Sequence, residues 1–454
     1  MEVTLPQMLL AREQRVQRQQ ALLAAFPHPL ICFTLNIAGP EKDNPLIRRG
    51  FREGCQMLED ALAQARMEVL HRELEYRNTG CEGYFSVAGD AQAVKDLCVG
   101  LEDSCPLGRL FDMDVLPPGG AQLRRADGDN RRCIVCGAPG RGCASRRVHT
   151  VPELQAATRR ILESHFLEKD RRAAASLALQ GLLDEVCTTP KPGLVDRANS
   201  GSHKDMDIFT FTASASALAP YLGQCVAIGQ ETRQLPPEET FRQLRKAGLQ
   251  AETVMFSATH GVNTHKGAIF TMGIVCGAVG RLWRPEQPCG NLPEILAECA
   301  QMTRTAMEAD FAAMQALKTP QTAGQRLYRD YGIRGIRGEV AQGLPSVSQV
   351  GLPALEKALA AGKGRNHAAA IALLYLIGQV TDTNMAARGG MDQAKAAMDR
   401  VARLLEHDPM PAPSEIEVLD REFIRRNLSP GGCADLLAVT LFLHDWQEWT
   451  RKQA

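Results

Sequence analysis

TVPELQAATRRILESHFLEKDRRAAASLALQGLLDEV, residues 150–186, is the stretch on which the fold turns. Thr150 and Glu153 fit a capping box with Pro152 in the first turn, so a helix should begin there. The helical pattern then continues for about 36 residues, long for one globular helix. The charged run Glu163 to Arg172 within it reads as a solvated linker or an exposed turn, and places a domain junction there. On this reading residues 1–166 and 167–454 are separate domains.

The two sides differ in texture. Upstream lie β-like runs at Leu30 to Ile37, Gly83 to Val87 and Arg109 to Leu116, with a helical stretch over Gly54 to Glu73, so an α+β domain is expected. Downstream, strand signals nearly vanish. The stretches Pro293 to Leu317, Leu352 to Ala361, Asn366 to Gln379 and Met391 to His407 have helical spacing and good helix formers, which predicts a larger all-α domain.

The 454 residues carry 52 Lys+Arg against 52 Asp+Glu, a zero balance that argues against a general nucleic-acid binder. The longest apolar run, Ala368 to Gly378, is too short to span a bilayer and reads as a buried helix. The first twenty residues lack the apolar segment of a signal peptide, so a cytoplasmic location is expected and the 14 cysteines should be reduced thiols.

In the first domain, period-two alternation over Gly108 to Val115 sends Asp112 and Asp114 to one face of a strand. Such a pair suits Mg²⁺ bridging a substrate's phosphates, with Arg109 as a phosphate clamp; the plain alternative is an edge strand with two solvated acids. Lys42, after the Asn36 to Pro40 turn, is a second phosphate candidate. Cys133, Cys136, Cys143 and His149 offer a ligand set for tetrahedral Zn²⁺, against the simpler reading of a Gly-rich loop with reduced thiols. Around them Arg124, Arg125, Arg131, Arg132, Arg141, Arg146 and Arg147 face only Asp127 and Asp129, a local cationic surface.

In the second domain, polar residues gather at breaks between helices. Thr189 to Arg197 and the following Asn199 to Asp207 form a rigid loop holding Lys191, Asp196, Arg197, His203, Lys204, Asp205 and Asp207. Gly261 to Phe270 places Asn263, Thr264, His265 and Lys266 before a small-residue helix. Arg334 to Glu339, Asp382 to Asn384 and Asn427 to Asp435, with Ser429, Gly431 and Gly432, complete the set. Their recurrence points to one cavity for polyphosphate and Mg²⁺, with Asp196, Asp205 or Asp207 as metal ligand or base and the cations on phosphates. There is no P-loop and no dinucleotide fingerprint.

The stretches Thr189 to Arg197, Gly261 to Ala268, Asp382 to Asn384 and Ser429 to Asp435 resemble the triphosphoribosyl-dephospho-CoA synthase family. Leu10 to Glu13, Asn36 to Pro40 and Gly108 to Val115 resemble the holo-citrate-lyase synthase family, with its nucleotidyltransferase-like domain. Together the chain looks like a natural fusion of both. The resemblance implies that ATP and 3′-dephospho-CoA are joined with loss of adenine in the second domain. The first domain would then transfer the product to a serine of the citrate lyase acyl carrier (gamma) subunit, releasing pyrophosphate. Alternatives are the equivalent enzymes for malonate decarboxylase, or a regulatory CoA-binding protein with a zinc loop.

Overall fold

A computed structural model describes residues 2–125, 131–317, 319–320 and 322–453. Asp127 and Asp129 lie outside the described residues, as does the side chain of Arg141. The chain forms two compact units: residues 1–169 with 285–287, and residues 170–284 with 288–454.

The first unit is built on a four-stranded antiparallel sheet of β1 (Leu30–Leu35), β2 (Val69–Arg77), β3 (Gly80–Val87) and β4 (Phe111–Leu116), in the order β2-β3-β1-β4. Phe33 and Phe111 meet edge to face at 5.2 Å, and Phe51, from the helix Pro45–Gln64, stacks on Phe33. Gly54 lets that helix approach closely, since a Cβ there would stand 2.4 Å from the Phe33 ring. On the other face Leu22, from the helix Leu5–Ala25, is buried with Leu30, Cys32 and Tyr84. The free edge of β4 is covered by two buried side chains of the helix Ala91–Ser104. Lys95 Nζ donates to the Met113 carbonyl, and Glu102 accepts from the Met113 N–H, both at 2.9 Å. Edges satisfied in this way cannot template another strand.

Two expectations need correction here. Residues 69–73 belong to β2, not to a helix. The helix Pro45–Gln64 stops near Arg66, which adopts a left-handed φ of 58°, and the following Glu-, Leu- and Arg-rich residues are drawn into a strand by pairing with β3. Local helix propensity loses to tertiary context in such a case. Arg109, expected on the strand, lies in a 3₁₀ turn, Leu107–Leu110, that precedes it.

The charged run at 163–172 is neither a turn nor a solvated linker. Val151–Cys187 is one helix. Thr150 N–H donates to Glu153 Oε2 at 2.8 Å, as the capping box requires, and no Pro or Gly interrupts the helix between Pro152 and Gly181. Asp170 is buried, accepting from Trp283 Nε1 at 2.8 Å, and Lys169 pairs with Glu53.

The second unit is all-α. Its core is a single apolar cluster, with Ala174, Ala178 and Leu182 of the long helix, the small-residue helix Lys266–Arg281, and the helices Arg365–Gln379 and Gly431–Gln453. The small residues allow close helix crossing: a Cβ on Gly229 would stand 2.1 Å from the Gly277 carbonyl oxygen. Helices observed at Leu292–Ala316, Leu352–Ala360 and Met391–His407 follow the predicted spacing. Among the described residues no helix is long and apolar enough to cross a membrane.

Candidate functional site

The broken ends of the second unit's helices enclose a cavity of about 800 Å³. Residues from all five polar stretches line it, although the first and the last are more than 200 residues apart in the chain. Its interior is buried and polar: Glu185, Lys191, His265, Asp382 and Ser429 are each at most 5% exposed. Asp205, Lys266, Arg334 and Arg388 are exposed and form its rim.

Lys191 is not a free phosphate ligand. Its Nζ donates to Glu185 Oε1 at 2.5 Å and to the Glu185 carbonyl at 2.8 Å, so its charge is already partnered. Near this pair stand two further acids. The Asp382 carboxylate accepts from the N–H groups of Asn384, Met385 and Cys433, capping its own helix and the start of Gly431–Gln453. Asp435 packs against the start of the helix Lys266–Arg281, where a Cβ on Gly267 would stand 1.9 Å from its Oδ2. Gly432 is needed for a like reason, with its Cβ position 2.9 Å from Asp382 Oδ2. Burial, then the charges of Glu185 and Asp382, hold the Asp435 carboxyl well above the ordinary range, despite the Ala268 N–H beside it. The cavity floor thus gathers three acids, of which Glu185 is paired with Lys191.

His265 is neutral. Burial, then the Lys191 charge, push its imidazole down to about 3. Thr264 Oγ1 donates to Ser214 Oγ, leaving the Ser214 hydroxyl to donate to His265 Nδ1, each at 2.7 Å. That chain places the ring proton on Nε2, which has no partner among the described residues. A buried N–H without an acceptor in a cavity wall is suited to a ligand oxygen or nitrogen. His203 Nε2 pairs with Ser429 Oγ at 2.9 Å, and Arg388 stands 3.4 Å from His203 Nδ1. Lys266 Nζ pairs with Glu252 at 2.7 Å.

Four expected residues are placed elsewhere by the structure. The Asp196 carboxylate is consumed by the N–H groups of Lys191, Ala198 and Asn199, so it ties the loop together instead of facing the cavity. Asp207 caps the helix Ile208–Thr232 through the Thr210 N–H at 2.9 Å, outside the cavity lining. Arg197 donates to Asn366 Oδ1, and Lys204 is exposed off the cavity. Conversely, Glu185 and Arg388 line the cavity without having been singled out, and Arg334 and Asp435, which lie in two of the expected stretches, line it without having been given a role of their own. Glu185 carried a signal, as one of two adjacent acids set between Leu182, Leu183 and Val186.

In the first unit the expected carboxylate pair is real. Phe111, Met113 and Val115 are buried, while Asp112 and Asp114 alternate with them on the opposite face. The Asp114 carboxyl is pushed up to about 6, first by burial and next by the charge of Asp112. Gln122 donates to Asp114, and Arg131 Nη1 stands 3.8 Å from Asp112 Oδ1. The charge of Asp112 beside the raised Asp114 carboxyl makes the two a donor set that a hard divalent cation would relieve. Arg109 lies nearby, its guanidinium donating to the Arg132 carbonyl and standing 3.7 Å from Asp103. Arg125 is neutralised by Glu102 and Asp103, so the arginine-rich segment is less cationic than its composition. Lys42 Nζ donates to the Ile37 carbonyl; burial, and then the Arg12 charge, lower its pKa.

A strand-borne carboxylate pair in an α+β unit and an acid-floored, cation-rimmed cavity in an all-α unit define a two-part enzyme for phosphorylated substrates. Residues 171–454 match the family described as ATP:dephospho-CoA triphosphoribosyl transferase, and residues 3–165 match the apo-citrate lyase phosphoribosyl-dephospho-CoA transferase family. The chain is 35% identical to the protein CitXG of Haemophilus influenzae over 97% of its own length and 96% of the relative's. It is 33% identical to the CitXG protein of Leuconostoc mesenteroides subsp. cremoris, over 97% of both. The 2-(5''-triphosphoribosyl)-3'-dephosphocoenzyme-A synthase of Pectobacterium atrosepticum is 40% identical over 64% of this chain and 96% of its own. The chain belongs to the CitXG family, in which the two matched families are joined in one polypeptide.

Proposed function

We propose that the cavity of the second unit joins ATP to 3′-dephospho-CoA with release of adenine, and that the β4 carboxylate face transfers the product to the acyl carrier subunit of citrate lyase. The domains doing so are residues 167–454 and 1–166, acting in the reverse of chain order. The observation that carries the first half is the convergence of five separated polar stretches on one cavity with an acidic floor and a cationic rim.

In the first reaction the 2′-oxygen of dephospho-CoA bonds to C1′ of the ATP ribose as the bond to adenine breaks. Positive charge grows at C1′, and Glu185, Asp382 and Asp435 supply the anionic surroundings that favour it. Asp435, held toward its protonated form, donates its proton to the departing purine and regains one from the attacking hydroxyl. The hydroxyl loses one proton and adenine gains one. Arg334, Arg388, Lys266 and His203 are placed at the rim for the triphosphate, and the unpaired Nε2–H of His265 orients a ligand acceptor.

In the second reaction the carrier serine Oγ bonds to the α-phosphorus as the bond to pyrophosphate breaks, and the serine proton is lost to solvent. Arg131 and Arg109 lie beside the carboxylates to steady the phosphates. Mg²⁺, when bound, would neutralise triphosphate charge; Asp112 and Asp114 would hold it in the first unit, and Asp205 would hold it at the rim of the second. On this pair rests our reading of the first unit as nucleotidyltransferase-like. A cytoplasmic setting, where its thiols stay reduced, completes the proposal.

Paired variants test it. Asp435→Asn is expected to lower adenine release by about a hundredfold or more, the loss typical of an acid–base group, while transfer from presynthesised product continues. Asp112→Asn should do the reverse. If Asp435→Asn leaves adenine release intact, the assignment of the floor is wrong.

A further inference from the structure

We propose that Cys133, Cys136, Cys143 and His149 bind one structural Zn²⁺, and that this ion folds the segment 131–149 and so seats Arg131 and Arg109 beside the β4 carboxylates. The ligand atoms of the four residues all lie within 4.8 Å of one another. Cys136 Sγ and Cys143 Sγ are 3.5 Å apart, and His149 Nε2 is 3.2 Å from Cys136 Sγ. Zinc–sulfur bonds of about 2.3 Å and zinc–nitrogen bonds of about 2.0–2.1 Å put tetrahedral ligands roughly 3.5–3.8 Å apart, close to these separations. A disulfide needs its sulfurs at about 2.05 Å, so the thiols are grouped but not bonded.

The backbone presents the first two thiols as a ligand turn. Gly137 N–H donates to the Cys133 carbonyl at 2.9 Å and Cys133 N–H to the Ala138 carbonyl at 2.8 Å, with Gly137 at φ +73° closing the turn. The segment also lacks a core of its own. From Arg131 to His149 no described side chain apart from the ligand Cys143 is buried, and its one helix, Gly140–Ser145, is six residues long. A segment this short and polar has no core with which to offset its ordering entropy. Four convergent metal ligands supply that free energy directly, as in small zinc-folded modules. Binding takes a proton from each of three thiols and leaves the imidazole neutral, with the three protons released to solvent.

The segment's placement gives the ion a consequence. Arg131, two residues before Cys133, stands over Asp112, and the Arg132 carbonyl accepts from Arg109. Arg132 also pairs with Pro139 across the ligand turn. Loss of zinc would release both arginines from the strand. This consequence, unlike the zinc site itself, rests on the transfer reaction assigned above.

The test is metal analysis of the full-length chain, purified without chelator and then equilibrated with zinc alone in a buffered solution. One equivalent of zinc per chain is expected, retained by Cys105→Ser, outside the cluster, and lost in Cys136→Ser and Cys143→Ser. Cys143→Ser should become sensitive to proteolysis within 131–149. It should also lose at least about tenfold in carrier modification, while adenine release stays unchanged and reports that the chain is folded. A native chain that takes up no zinc, with the four groups titrating freely, overturns the site. Zinc loss without loss of carrier modification overturns the role given to the arginines and leaves the metal site standing.

Discussion

His265 shows how burial converts a residue's role. In sequence, a histidine beside Lys266 reads as a cation for phosphate. In the structure it is a neutral donor, since a charged ring would have to be desolvated next to Lys191. The folded pKa of about 3 lies below the unfolded value of about 6.5. The unfolded chain therefore takes up a proton that the folded chain refuses, and stability falls as pH drops through 6.5 toward 3. Between pH 6.5 and 5 this amounts to about 2 kcal/mol. Urea unfolding of the second unit's helical signal should show that loss, and His265→Gln should flatten it; an equal slope in both proteins would contradict the assignment. Asp196 and Asp207 make the complementary point. A carboxylate in a polar loop is as useful to backbone N–H groups as to a metal, and only the fold shows which has claimed it.

At the scale of elements, strands with one apolar face were legible. The alternation of Phe111, Met113 and Val115 with two acids forecast both β4 and the side on which its carboxylates stand. β2 was hidden because one of its faces is mostly exposed, the other is only half-buried, and its residues favour helix. The run 163–172 misled in the opposite direction. Its charges suggested solvent, yet Glu, Lys, Arg, Ala and Leu are strong helix formers, and a buried partner such as Trp283 holds Asp170 in place. The contrast is testable. Arg171→Pro would be harmless in a linker, but in a helix interior it removes a backbone hydrogen bond and clashes, at a cost of about 3 kcal/mol. Denaturant unfolding should show a loss of that size; a midpoint shift near zero would mean that the helix breaks there.

For the whole molecule, the zero net charge conceals two opposed electrostatic designs. One unit displays a carboxylate pair with arginines beside it, and the other buries acids beneath a rim of cations. The polar stretches were visible in sequence as breaks between helices, and so was their kinship with one another as parts of a site. What sequence did not reveal was the division of labour within the cavity, because Glu185, Asp382 and Asp435 acquire their shared character only when three distant segments meet. The central claim is that one chain carries both chemistries. Mass spectrometry of the wild-type protein incubated with ATP, 3′-dephospho-CoA, Mg²⁺ and the apo carrier subunit tests it most directly. Free adenine, pyrophosphate and a carrier serine bearing the phosphoribosyl-dephospho-CoA group are expected, each in equal amount once the carrier is fully modified and no excess product has formed. An unmodified carrier with no adenine released would contradict it.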